Sequence, residues 1–294
     1  MDVIDSLAVI GPGRVGTAIA VAARRAGVRD IYFGGRHLDR VEESARMVEG
    51  AKAWRMAEAA HHADLVLISV SDNSIELVAK QLAQEDAFRK GAVVAHLSGA
   101  LNSSVLKPAK DLCGAFVASA HPLNTYASVA AAVDVKPGTH WFLEGDLEAI
   151  EKLSQLISSF GDLPNAITSE GKAIYHAASV VACNYLSTLM DTALELMGQA
   201  NVENEVAWNA LKPLVFETMN NIDKTGPQAA LTGPISRGDL LTVEKHIQAM
   251  QNSPEGQRRL YGALGLKTVD LALRKGSIDE NAANKIREKL KQMF

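Results

Sequence analysis

The sequence predicts an α/β protein: a doubly wound parallel sheet over residues 1–168, followed by an all-helical second domain over residues 169–294. Three observations predict it. Short apolar runs alternate with helical periodicity through the first half, as β–α repeats around a parallel sheet require. The run Asp64–Val70 is apolar almost throughout, which suits a central strand buried on both faces. Beyond Ser169 the strand pattern stops and only helical periodicity remains.

Strands are expected at Leu7–Ile10, Asp30–Phe33, Ala51–Trp54, Asp64–Val70, Ala92–Leu97, Ala115–Ala120, Thr139–Leu143 and Asn165–Thr168. Helices fall between them at Val15–Ala26, Asp39–Val48, Ser104–Asp111 and Leu147–Phe160. A short one ends at His61-His62. Another starts near Ser74, where Asn73 and Glu76 stand at capping-box spacing. The second domain reads as Lys172–Met197, Val206–Asp223, Leu240–Met250, Gln257–Arg274 and Asn281–Met293. Ser253-Pro254 looks like an N-cap followed by proline at the first helical position, and Ser277 with Glu280 like a capping box. Ala177–Cys183 is apolar nearly all round, so neighbours must bury it. It is expected at the centre of the second domain, at a homodimer contact, or both.

Bulk composition narrows the function classes. At 294 residues the chain has room for about two domains. A net charge of −4 argues against nucleic acid or an anionic membrane as the main partner, since both favour a basic surface. The two cysteines, Cys113 and Cys183, form no C-x-x-C, which fits neither a disulfide scaffold nor a thiolate metal site and suits a reducing cytoplasm. Asp2 and Asp5 stand where a secretory leader needs basic residues, and no apolar run reaches the ~18 residues of a membrane span. A cytoplasmic protein is expected. There is no H-E-x-x-H metal motif and no Gly-x-Ser-x-Gly elbow.

The chemistry starts at Gly11-Pro12-Gly13-Arg14-Val15-Gly16, directly after the first strand and opening the first helix. Gly11 permits the tight bend, Gly13 lacks the Cβ that would hold a pyrophosphate off the backbone, and Gly16 lets helix and strand pack closely. The free amides at the helix start then face the phosphates. This is the Rossmann dinucleotide-binding arrangement, specific because of its context rather than its glycines alone. About 20 positions on, where NAD-binding versions place a carboxylate, the chain reads Gly34-Gly35-Arg36-His37. With no acid to repel a 2′-phosphate and Arg36 available to pair with one, NADP is expected over NAD. Val70-Ser71 and His96-Leu97-Ser98-Gly99 end two strands at the carboxyl edge, where small residues would admit a nicotinamide ring.

Nicotinamide would supply a hydride, leaving the protein to provide a proton donor and a substrate clamp. Three clusters qualify: His121-Pro122-Leu123-Asn124-Thr125; Lys172, His176 and Ser179 on one helix face, with Asn184 nearby; and Thr232–Asp239, containing Arg237. The bland alternatives are a capped helix start with satisfied polar groups for the second, and for the third a turn in which Asp239 merely caps the next helix.

Across nearly its full length the chain resembles a family of Rossmann-like oxidoreductases with a helical C-terminal domain of formerly unknown function. The resemblance rests on the Gly11–Gly16 turn, His96-Leu97-Ser98-Gly99, His121-Pro122-Leu123, Tyr175-His176-Ala177-Ala178 with Asn184-Tyr185, and Thr232-Gly233-Pro234 with Arg237-Gly238-Asp239. Some members are regarded as an alternative type of ketopantoate reductase. More distantly the architecture is similar to pyrroline-5-carboxylate reductase, ordinary ketopantoate reductase and the 3-hydroxyacid dehydrogenases. The resemblance implies a substrate held between the carboxyl edge and the first long helix of the second domain. Ordinary ketopantoate reductases carry a proton-donating lysine there, with asparagines one and two turns later. Lys172 matches the lysine, but His176 and Val180 stand at the asparagine positions and Asn184 comes a turn later.

The expected activity is NADP-dependent reduction of a small 2-oxo acid, ketopantoate first. Lys172 or His176 would protonate the oxygen, Asn184 would hydrogen-bond the substrate, and Arg237 would bind its carboxylate. Two alternatives stay open: a pyrroline-5-carboxylate or other imine reductase, and a non-catalytic NADP-sensing module.

Overall fold

The computed structural model describes residues 4–126 and 137–294; Asp2 lies outside them. The chain runs β1 (Ser6–Ile10), α1 (Arg14–Arg25), β2 (Asp30–Gly34), α2 (Leu38–Ala45), β3 (Lys52–Trp54), α3 (Met56–His61), β4 (Leu65–Ile68), α4 (Asp72–Gln84) and β5 (Val93–His96). There follow α5 (Lys107–Cys113), β6 (Phe116–Pro122), β7 (His140–Gly145), α6 (Leu147–Ser159), β8 (Leu163–Ala166) and α7 (Lys172–Ala182). The strands form one sheet in the order β3-β2-β1-β4-β5-β6-β7-β8. Leu7, Leu65 and Val93 stand in register across its centre and are each fully buried, because helices cover both faces. One apolar layer gathers Val9, Ile31 and Phe33 with residues of α1 and α6; the other joins Ile10, Val66 and Ile68 to α3, α4 and α5.

All neighbouring strands are parallel except β6 and β7, which pair antiparallel from Ala118 opposite Gly145 to Pro122 opposite Trp141. The sheet is thus mostly rather than wholly parallel. Alternation along a chain shows that strands and helices follow one another, not which way each strand points.

The chain divides into two compact units, 1–184 and 185–294. That division falls beyond residue 168, where the strand pattern ends, because α7 stays with the sheet: its Lys172 is anchored between β5 and β6. The second unit comprises most of α8 (Asn184–Gln199), α9 (Asn204–Ala230), α10 (Leu240–Ala249), α11 (Glu255–Lys275) and α12 (Glu280–Leu290). Its core is Val243, Ile247, Val269, Ala272, Ile286 and Leu290. Gly265 lets α11 lie against α12: a Cβ there would stand 2.8 Å from a Leu290 methyl.

Several local expectations are corrected. The predicted helix Lys172–Met197 is two helices separated at Cys183, and nothing in the local sequence marks the break. The helix starting at Asn204 runs past Asp223 to Ala230, interrupted by Gly226 at φ 76°, ahead of Pro227, which restricts the residue before it. Helix α4 begins at Asp72 with Ser71 at the N-cap position, not with Asn73 as its cap. Ser253 donates to Gln199 Oε1 at 2.7 Å and leaves Pro254 at the cap position. At α12 the cap is Asp279, which accepts from the Ala282 amide at 2.8 Å, rather than Ser277. Ala177–Cys183 is not buried within the chain, Val181 being 60% exposed, so it is not the centre of the second unit.

Candidate active site

The glycine turn has the geometry its spacing predicts. Gly11 takes φ +77°, and its amide donates to the Gly34 carbonyl at 2.7 Å, so a Cβ would collide with Val70. Gly16 is buried against β1 and the end of β4; a Cβ would stand 2.6 Å from Val9 Cγ1 and 2.8 Å from Ser69 Oγ. Gly13 is different. Nothing lies within 4 Å of the position a Cβ would take, and no side chain caps the amides of α1 or places an acid in its first turn. The open face of that turn fits an anion on the helix start.

Three cavities line the carboxyl edge of the sheet in succession. The first, about 280 Å³, lies among Gly11, Pro12, Arg36, His37, Arg40 and Ser71. The second, about 340 Å³, is bounded by Gly13, Arg14, Val15, Val70, Ser71 and Ser98, and shares Val70 and Ser71 with the first. Tyr126 lines the second and the third. That third cavity, about 730 Å³ and open to solvent, is lined by His121, Phe142, Tyr175, His176, Ser179 and Asn184. Thus every cofactor residue expected from sequence lines one of these cavities except Gly16, which packs against β1 and β4, and Gly99.

Gly99 has its own reason to be glycine. A Cβ there would run into His176 Nδ1 and stand 3.0 Å from His121 Cε1 and Nε2. It therefore brings together two histidines, ring centres 5.8 Å apart, from β6 and α7. His121 Nδ1 hydrogen-bonds the Tyr175 hydroxyl at 2.8 Å, and the Tyr175 ring packs on Phe142 at 4.5 Å. Burial, helped by the Lys172 and His176 charges, pushes the His121 pKa down to about 4. Burial pushes the Tyr175 phenol up to about 12. Ser179 donates to the His176 carbonyl at 2.7 Å.

Lys172 lies apart from that cavity. Only 1% exposed, its ammonium donates to the Ser98 carbonyl at 3.1 Å and to Ser119 Oγ. Burial lowers its pKa to about 8, opposed by the charges of Glu144 and Asp72. Glu144, itself buried, accepts from the Ser103 amide at 2.6 Å, Ser103 Oγ at 2.9 Å and Ser169 Oγ at 2.8 Å. Asp72 accepts from Ser98 Oγ at 2.8 Å. His96 is fully buried beside them: its Nδ1 accepts from the Ser98 amide at 3.2 Å and its Nε2 bonds the Asn102 carbonyl at 3.1 Å.

The structure thus gathers His121, His176 and Asn184 at one cavity, while Lys172 turns to Ser119 and to Ser98, which lines the second cavity. Arg237 belongs to the second unit, exposed in a short 3₁₀ turn. Asp239 caps α10, accepting from the Thr242 amide at 3.1 Å. Sequence reasoning gave no role of their own to Tyr175, Tyr126, Ser119, Asp72 or Glu144. The one available signal was Glu144, a carboxylate that directly follows the apolar run Trp141-Phe142-Leu143 within the strand His140–Gly145. Among the described residues no group of three acidic, histidine or cysteine side chains is placed to hold a metal, and no helix is long and apolar enough to cross a membrane.

Comparison with known proteins agrees with this architecture. A search among curated proteins gives no match. Among solved structures, a candidate NADP oxidoreductase from Bacteroides fragilis superposes with a TM-score of 0.72 at 24% identity, covering 90% of this chain and 98% of that one. An imine reductase from Pseudomonas sp. gives 0.64 at 16% identity, covering 96% of this chain and 99% of that one. A pyrroline-5-carboxylate reductase from Coxiella burnetii gives 0.56 at 19% identity, covering 99% of each. At such identities the likeness shows the fold. Residues 3–122 match the Rossmann-like domain family, and residues 139–268 match a domain of unknown function, DUF2520, which takes in β7, β8 and α7. The chain is therefore similar to Rossmann-like domains over residues 3–122 and to DUF2520 over residues 139–268.

Proposed function

We propose that this protein is an NADP-linked oxidoreductase that reduces a small carbonyl compound, with 2-oxo acids, and ketopantoate first, as the substrates to test. One observation carries the reading: three successive cavities along the carboxyl edge, starting at an open glycine turn and ending at paired histidines. The names of the superposing NADP oxidoreductase and imine reductase support it. The amides around Gly13 would hold a pyrophosphate, and Arg36, His37 and Arg40 a 2′-phosphate. Ser71, Ser98 and the neighbouring backbone would border the nicotinamide. When bound, NADPH supplies a hydride.

The other residues act on the substrate or on the walls. His121, His176 and Asn184 face the cavity that would hold it. Lys172 donates to the Ser98 carbonyl and to Ser119 Oγ, an engagement that speaks against it as the direct proton donor. The exposed apolar residues Val181, Leu214 and Phe216 support a homodimer.

An imine substrate is the second reading. It is favoured by the engagement of Lys172 within the wall, because an imine arrives already protonated and needs no lysine acid. NADPH consumption against a panel of 2-oxo acids and cyclic imines tests both. Turnover of ketopantoate is expected; turnover of imines alone selects the second reading. Binding without any turnover would leave a cofactor-sensing module.

A further inference from the structure

Reduction of a neutral carbonyl leaves an oxyanion that must gain a proton inside the third cavity. The donor must touch that cavity and hold a transferable proton at neutral pH. Lys172 Nζ is turned to Ser98 and Ser119 instead. Asn184 carries no acidic proton. Of the proton-bearing groups that line the cavity, Tyr175 is the one whose ring is held on Phe142 and whose hydroxyl has an imidazole nitrogen, His121 Nδ1, 2.8 Å away.

We propose that Tyr175 is the catalytic acid and that His121 is its positioning partner, with the Nδ1–H of His121 donating to the phenol oxygen. This rests on the oxidoreductase reading above. In that tautomer the phenol hydrogen is left free for the substrate. The carbonyl carbon gains the hydride with its two electrons, and the carbonyl oxygen takes the Tyr175 proton. The Nδ1–H of His121 stabilises the resulting tyrosinate until a solvent proton restores it. The balance is one carbonyl, one reduced nicotinamide and one proton in, one alcohol and one oxidised nicotinamide out. The buried, neutral state of His121 suits this role, since an imidazolium would not persist there.

Tyr175→Phe removes one oxygen and keeps the ring on Phe142. NADPH affinity measured by calorimetry is expected to change less than about twofold, while kcat falls roughly a hundredfold or more with KM nearly unchanged. His121→Ala should fall as far. His121→Asn, which still offers an N–H near the Nδ1 position, should stay within about tenfold of the unaltered rate. Nitrogen NMR of the cofactor-free protein is expected to show His121 protonated at Nδ1, with that signal shifted in Tyr175→Phe. Unchanged kcat in Tyr175→Phe, or an unprotonated Nδ1, overturns the assignment alone. An unaltered protein that binds no NADPH, or binds it and oxidises none, overturns the oxidoreductase reading and this one with it.

Discussion

The Lys172 ammonium donates a 3.1 Å hydrogen bond to the Ser98 carbonyl, tying the start of α7 to the end of β5 from a side chain 1% exposed. Burial holds its pKa near 8 rather than 10.5. Between those values the unfolded chain binds more protons than the folded one, so stability must rise with pH across that window. Urea unfolding at pH 7.5 and 10 (roughly the edges of the window) should show the unaltered protein gaining about 1–3 kcal/mol relative to Lys172→Met. A difference independent of pH would show that the lysine is solvated.

His96 and His121 act at the acid end. Burial lowers both pKa values to about 4 from 6.5, so the unfolded chain takes up protons first as pH falls. Their stability contribution is complete above pH 6.5 and drains away down to about pH 4. His96→Asn should cost about 1–3 kcal/mol at neutral pH through lost hydrogen bonds. It should also flatten the fall in Tm between pH 6.5 and 4, the range the His96 shift spans. An equally steep fall in the variant would place the titration elsewhere.

Gly99→Ala tests the convergence of the two histidines. The added methyl overlaps the space of His176 Nδ1 and crowds His121. We expect kcat to fall at least about tenfold while NADPH affinity holds within about threefold, because the glycine turn is untouched. Equal losses of both would mean that Gly99 serves the cofactor rather than the histidines.

Arg36 stands exposed at the mouth of the first cavity, beside His37 and Arg40. Arg36→Ala should weaken NADPH binding about tenfold, the loss of one charge-assisted contact, and leave NADH binding unchanged. A parallel loss for both nucleotides would assign the arginine to the shared part of the cofactor.

Much of this was legible in the sequence, for definable reasons. Gly11, Gly13 and Gly16 announced the turn because each glycine answers a separate steric demand. Asp64–Val70 announced the central strand because burial on both faces leaves no polar position. The direction of β7 was not legible, since antiparallel pairing with β6 is decided by tertiary contact. Nor was the break at Cys183, where apolar periodicity continues through the kink. Helix periodicity placed Lys172, His176 and Ser179 on one face, but not the depth of each. Lys172 turns inward to Ser98 and Ser119, while His176 meets His121 at Gly99. Depth depends on which strand ends the helix docks against, and no local pattern records that.

The central claim is that the open turn at Gly13 receives the pyrophosphate of NADPH. Gly13 has φ −106° and no neighbour within 4 Å of a Cβ position, so Gly13→Val should fold, losing only about 1 kcal/mol as a poorer N-cap. Calorimetric titration with NADPH measures the claim directly. The account predicts clear binding by the unaltered protein and loss of at least about 2 kcal/mol of it in Gly13→Val, roughly thirtyfold in Kd. Equal affinity in the two proteins, or no binding by either, would contradict it.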